Sequence, residues 1–374
     1  MYLDQSPNTN LEAAAFTESP TPRAPVGPAA DDERPDLVGC DVDQLFAEIA
    51  QSCSRTSYSR TASNISITRL PISSAWLIDS GKPGPRFSVF AGIHGDEISG
   101  IYAVFDLMRS FGSGELTLTH GSLQLAIGNE EAVSANERCL DANLNRLFGK
   151  INRERVAAEL NEFENPTDLP EFQRAEALES ILRKAQRHVC LHSTSAPTDS
   201  FGVCTERSLE MAKQMGSGKV VLIPPQILEE NFGGGSSIFF ETLNPDNLGS
   251  TCESGQHTDA FAPLRAKQRV LELMALTGII DYPLPPTDSK PEVYRLIHVV
   301  SRTKAGIAEG NRFKFQRDPQ NFDRYTATEI IGHVGQQAFR LSDFCDHPHA
   351  YLVFPAKKDP LRKDDIFSLA ELLS

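Results

Sequence analysis

Hydrophobic positions along this chain switch repeatedly between the spacing of a strand and that of a helix. Asn64–Leu70 alternates, with Ile65 and Ile67 on one side, and Arg86–Ala91 is a short apolar run ending at Gly92. Both read as strands. Glu97–Ser110 then places Ile98, Ile101, Val104, Phe105 and Met108 at helical spacing, and Ser122–Ile127 returns to strand. Helical patterns over 151–163 and 171–186 lead to strands at His188–His192 and Lys219–Ile223, and to a short one ending near Glu253. Upstream, Asp41 is placed to cap a helix whose Leu45, Phe46 and Ile49 share a face.

This alternation predicts an α/β fold with a mixed β-sheet flanked by helices over residues 41–284. From about Pro285 the pattern changes to proline-bounded strands at Val293–Val300, Thr328–Ile331, Gln337–Arg340 and Tyr351–Phe354. They predict a small β-rich C-terminal domain over 285–374. Residues 1–38 are rich in Pro, Ala, Ser, Thr and acids, with few large apolar side chains to offset the entropy of ordering, and read as a flexible tail. Gly233-Gly234-Gly235 lacks the Lys-Ser/Thr ending of a phosphate loop and reads as a mobile loop.

Charge narrows the partners. A net charge of -14 without a basic block disfavours nucleic acid, and also an anionic membrane surface. Arginines focused in a pocket still admit an anionic small molecule. No apolar run approaches a membrane span and the N-terminus lacks a secretion signal, so the expected location is cytoplasmic. The seven cysteines are scattered, with no Cys-x-x-Cys pair, which suits reduced thiols better than disulfides or a thiolate metal cluster.

Four stretches concentrate chemistry. Gly92-Ile93-His94-Gly95-Asp96-Glu97 sets a histidine and a carboxylate three residues apart at a strand-to-helix junction, within reach of one metal ion. His192 ends an apolar strand and offers a third ligand, leaving a fourth position for water. Arg138 to Arg146 gathers two arginines and two asparagines in an irregular segment suited to carboxylates and developing oxyanions. Glu253 lies where a short strand enters a glycine turn, a place for a general base. Taken singly, these also read as a loop histidine, a strand-end histidine, a solvated polar loop and an exposed turn glutamate. His188, Cys190 and His192 share a strand face at a spacing that suits one ligand with its neighbours better than three ligands. His347-Pro348-His349 reads as a proline turn.

In order and wording, the motifs from about Phe87 to His257 resemble the succinylglutamate desuccinylase/aspartoacylase family, which has a zinc carboxypeptidase-like fold. The resemblance implies one Zn2+ per chain held by His94, Glu97 and His192. It further implies Glu253 as general base, Arg138 as the group polarising the scissile carbonyl, Asn145 and Arg146 as the grip on a substrate carboxylate, and Asn129 as a pocket asparagine. Two positions depart from the family pattern: Asn143 and Cys190 stand where members often carry aspartates that orient the histidines. Losing such carboxylates typically weakens metal binding about 10–100-fold.

The expected function is therefore zinc-dependent hydrolysis of the amide bond in a small N-acyl amino acid or related acidic amide. The alternatives are a zinc carboxypeptidase acting on peptides and a catalytically weakened relative that binds a ligand. The expected partner is the small acidic amide substrate, and a homo-oligomer is compatible with this reading.

Overall fold

Asp41 opens the first element by accepting a hydrogen bond from Gln44 N at 2.9 Å. Helix α1 (Val42–Arg55) then buries Val42, Phe46 and Ile49 along one face. Next come β1 (Ser66–Arg69), β2 (Ala75–Asp79), β3 (Arg86–Ala91), α2 (Ile98–Ser113) and β4 (Ser122–Ile127). Three helices follow, α3 (Glu130–Ala135), α4 (Lys150–Glu159) and α5 (Pro170–Leu182). The middle of the chain supplies β5 (Arg187–Thr194), β6 (Phe201–Cys204), α6 (Leu209–Lys213), β7 (Lys219–Leu222) and α7 (Pro225–Ile227). Helix α8 (Ser236–Leu243), β8 (Leu248–Gln256) and α9 (Ala262–Leu276) complete that part.

The β-rich C-terminal region holds β9 (Glu292–Ser301), β10 (Phe313–Phe315), β11 (Arg324–Thr326) and β12 (Ile330–Val334). It ends with β13 (Gln337–Arg340), β14 (His349–Val353) and β15 (Asp365–Leu372). This computed structural model describes residues 35–55, 65–215, 217–232, 234–284, 290–308, 311–356 and 365–373. The expected tail therefore lies outside the described residues as far as residue 34. Its last residues are packed: Leu37 is buried, and the Tyr102 hydroxyl donates to the Pro35 carbonyl at 3.0 Å.

Among the described residues, twelve strands form one mixed sheet in the order β1-β2-β4-β3-β5-β8-β6-β7-β9-β15-β14-β11, and β10, β12 and β13 form another. The anticipated boundary at 284/285 is crossed by strand pairing, because β9 runs parallel to β7 and β15 pairs with β9. Strands β4, β3, β5 and β8 run parallel, so their carboxyl ends open onto the same side. Strand β3 leads through α2 to β4 on one flank and neighbours β5 on the other. A crevice outside the carboxyl ends at such a reversal of strand order is where open α/β sheets bind ligands.

The pleat of β5 divides the two cores. Val189 and Leu191 join the apolar layer with Phe46, Phe105 and Val270 from α1, α2 and α9, whereas Cys190 joins the opposite layer with Phe90, Phe148, Phe172 and Phe240. His188 and His192 share the Cys190 face. No helix among the described residues is long and apolar enough to cross a membrane.

Candidate active site

The junction between β3 and α2 sets the first two residues. Gly92 leaves the strand at φ 63°, a left-handed conformation that favours glycine. At Gly95 the constraint is contact, since a Cβ there would lie 2.1 Å from the Ala132 carbonyl carbon. The Gly95 N–H donates to the Arg138 carbonyl at 3.1 Å, which ties this turn to the arginine-bearing segment. Glu97 stands at the N-cap of α2 yet makes no side-chain capping bond. Its carboxylate turns instead to the histidines, with Oε1 2.7 Å from His94 Nδ1 and Oε2 2.8 Å from His192 Nδ1. Arg138 Nη1 donates to Oε1 at 3.0 Å and Ser193 N to Oε2 at 3.1 Å.

Each imidazole is also held from behind. His94 Nε2 lies 3.1 Å from Asn143 Oδ1, and His192 Nε2 lies 3.1 Å from Cys190 Sγ. The two residues that depart from the family pattern thus occupy the orienting positions behind the rings. Asn143 Oδ1 and the Glu97 carboxylate both accept, so a cation at Nδ1 would leave the hydrogen of the neutral His94 ring on Nε2, facing Asn143.

Burial, reinforced by Arg138, pushes His94 down to about 4, which leaves it neutral near pH 7. Burial acts to raise Glu97, but His94 and His192 more than offset it and hold the carboxyl well below its ordinary value. Burial acts to lower His192, but Cys190 and Glu97 outweigh it and raise the ring well above its ordinary value.

His94, Glu97 and His192 are all buried, and their donor atoms lie within 4.8 Å of one another. Two imidazoles and a carboxylate are the donor types zinc takes, and a cation among them would replace the proton that His192 otherwise holds. The residues fit the metal.

Glu253 reaches the same place from the adjacent strand, because β5 and β8 are in register with His192 opposite Glu253. It is buried, and its Oε2 has no hydrogen-bond partner among the described residues. Burial, aided by the charge of Glu97 and opposed by His192 and Arg138, pushes its carboxyl up to about 8. A carboxyl poised near neutrality can both take and return a proton.

These residues line a cavity of about 410 Å³, within the usual range of small-molecule sites. Arg138, Asn145 and Arg146 line it too. Asn145 Oδ1 accepts from Ser236 N at 3.3 Å, which directs its NH2 end elsewhere. Asn129 is not brought to the cavity: it caps α3 by accepting from Ala132 N, and it donates to Glu171 Oε1 at 3.3 Å.

Sequence reasoning missed several contributors. Glu171, buried in α5, accepts from Leu140 N at 2.8 Å and Asp141 N at 3.3 Å, and so holds the Arg138–Arg146 segment in place. His257 lies 2.8 Å from Ser193 Oγ through Nδ1, and both line the cavity. Phe354, Pro355, Ala356, Asp365 and Ser368 of the C-terminal region close one wall. His257 belongs to a stretch already singled out for Glu253, whereas Glu171 and the wall residues carry no local motif.

Residues 83–226 match the family model for the succinylglutamate desuccinylase/aspartoacylase catalytic domain. That segment is therefore similar to the catalytic domain of the succinylglutamate desuccinylase/aspartoacylase family. The matched span contains His94, Glu97, Arg138, Asn145, Arg146 and His192, while Glu253 lies beyond it.

Solved structures share the fold. A succinylglutamate desuccinylase from Vibrio cholerae superposes with a TM-score of 0.62 at 17% identity, covering 87% of this chain and 94% of that one. A succinylglutamate desuccinylase/aspartoacylase from Rhodobacter sphaeroides gives 0.58 at 17% identity, covering 84% and 98%. A product-bound ectoine utilization protein from Ruegeria pomeroyi gives 0.57 at 16% identity, covering 83% and 99%. No curated protein matches by sequence.

Proposed function

We propose that the protein is a zinc-dependent hydrolase that cleaves the amide bond of a small N-acyl amino acid or related acidic amide. One observation carries the reading: three buried donor atoms of His94, Glu97 and His192 converge beside a carboxyl, Glu253, that is pushed up toward neutrality. His94, Glu97 and His192 would hold the zinc ion, which when bound would supply an electrophile to polarise a carbonyl and make water more acidic.

The chain's own residues do the rest. Glu253 takes a proton from the attacking water, the C–N bond of the amide breaks, and Glu253 passes the proton to the departing nitrogen. Arg138 donates to the carbonyl oxygen as negative charge develops there. Arg146 and the NH2 end of Asn145 hold a carboxylate elsewhere on the substrate. Phe354, Pro355 and Ala356 line the cavity, whose volume of about 410 Å³ supports a small substrate over a peptide.

The test is a panel of N-acyl amino acids offered to protein carrying one zinc per chain, with release of free amine as the readout. Release of amine from at least one member is expected. Metal-loaded protein that releases none from any member would refute the proposal.

A further inference from the structure

The arginine assigned to the substrate carboxylate has an acid beside it. Asp365, at the start of β15, places Oδ2 3.6 Å from Arg146 Nη2, with the two side chains 26% and 23% exposed. That separation makes an ion pair without a hydrogen bond between these atoms. Both residues line the cavity that holds Glu253 and Arg138.

A carboxylate arriving at Arg146 therefore comes up against Asp365 as well. A second substrate carboxylate there would meet a like charge, and an acylated α-nitrogen would set a neutral group against an anion. A free amino-acid head meets neither problem. Its carboxylate and ammonium sit on one carbon, roughly 3 Å apart by bond lengths, close to the spacing of the Arg146–Asp365 pair.

We infer that Asp365 is a specificity-determining residue: with Arg146 it reads the free α-ammonium and α-carboxylate of an amino acid that is acylated on its side-chain amine. The acyl amide then points toward Arg138 and Glu253. This assignment rests on the hydrolase reading for the amide end, and on the ion pair for the head.

The test is binding by calorimetry on full-length, zinc-loaded protein carrying Glu253→Gln, so that turnover does not accompany the titration. The probes are Nε-acetyl-lysine, its isomer Nα-acetyl-lysine, and Nα-acetylglutamate. The Nε isomer is expected to bind at least about tenfold more tightly than either other ligand. Adding Asp365→Asn should weaken the Nε isomer about tenfold while leaving the other two unchanged or tighter.

Equal binding of the isomers, preference for either Nα-acyl ligand, or no measurable binding of the Nε isomer would overturn the inference without use of any variant at 365. A uniform loss across all three ligands in Asp365→Asn would overturn it as well. Because the readout is binding, absence of hydrolysis by the parent protein counts against the hydrolase reading and leaves these outcomes intact.

Discussion

His188 offers a test of how this sheet is held together at acid pH. Its ring spans two elements, with Nδ1 2.9 Å from Ser88 Oγ on β3 and Nε2 3.2 Å from Ser236 Oγ at the start of α8. Phe90 meets it edge-on at 4.7 Å between ring centres. Burial, reinforced by the charge of His192, pushes the ring from 6.5 down to about 3. The unfolded chain thus takes up a proton below pH 6.5 that the folded chain refuses until about pH 3. The resulting stability is fully present above 6.5 and is lost as pH falls through that window.

Single-site linkage gives a loss of about 2 kcal/mol between pH 7 and pH 5, and about 5 kcal/mol across the whole window. His188→Gln removes the titration. It also removes aromatic contacts, so the variant starts about 1–3 kcal/mol lower at pH 7. Urea unfolding of both proteins at pH 7 and pH 5, with a chelator present, cancels the contributions of other groups. The parent should lose about 2 kcal/mol more than the variant between these pH values. An equal loss in both, or a larger one in the variant, would refute the account of His188 as a buried neutral link.

His94→Ala or His192→Ala should abolish zinc binding by metal analysis, because two remaining ligands make a poor site; full occupancy in either would remove that residue from the ligand set. Glu253→Gln keeps the shape and removes the base, so kcat should fall roughly 10²–10⁴-fold with zinc retained, and near-normal turnover would show that another group takes the proton. Asn143→Leu and Cys190→Val each remove the atom behind a ligand ring and should weaken zinc about 10–100-fold in competition with a chelator; unchanged affinity would mean the rings are oriented by packing alone. Arg146→Ala should raise KM for substrates with a free carboxylate and leave matched amides lacking it nearly unaffected, whereas equal effects would make the Asn145–Arg146 segment structural.

Arg86–Ala91 and Ser122–Ile127 were legible in the sequence because buried parallel strands are continuous apolar runs, and both elements have the bounds expected. Strand β6 was not, since Phe201–Cys204 is short and contains a glycine. Strand β15 mixes Ser368 and Ala370 among its apolar residues, and nothing in its pattern shows that it would enter the main sheet. In the site, His94, Glu97 and Arg138 stood out because local chemistry marks them. Asn129 shows the limit of carrying a role over by resemblance: it stands where the family has a pocket asparagine, yet here its side chain is spent on α3 and Glu171. Asp365 was invisible because its meaning depends on a partner that only the folded sheet brings near.

The order β9-β15-β14 has a consequence for assembly. Of these three neighbours, the middle one is synthesised last, so β9 is made well before the strand that joins it to β14 exists. Until β15 arrives, β9 presents an open edge on the side away from β7, and such edges are prone to pair with the wrong chain. The same strand carries Asp365 and Ser368 to the cavity. Closing the sheet and finishing the binding wall are therefore a single event during folding, and a nascent chain with its histidines already in place still lacks a complete pocket.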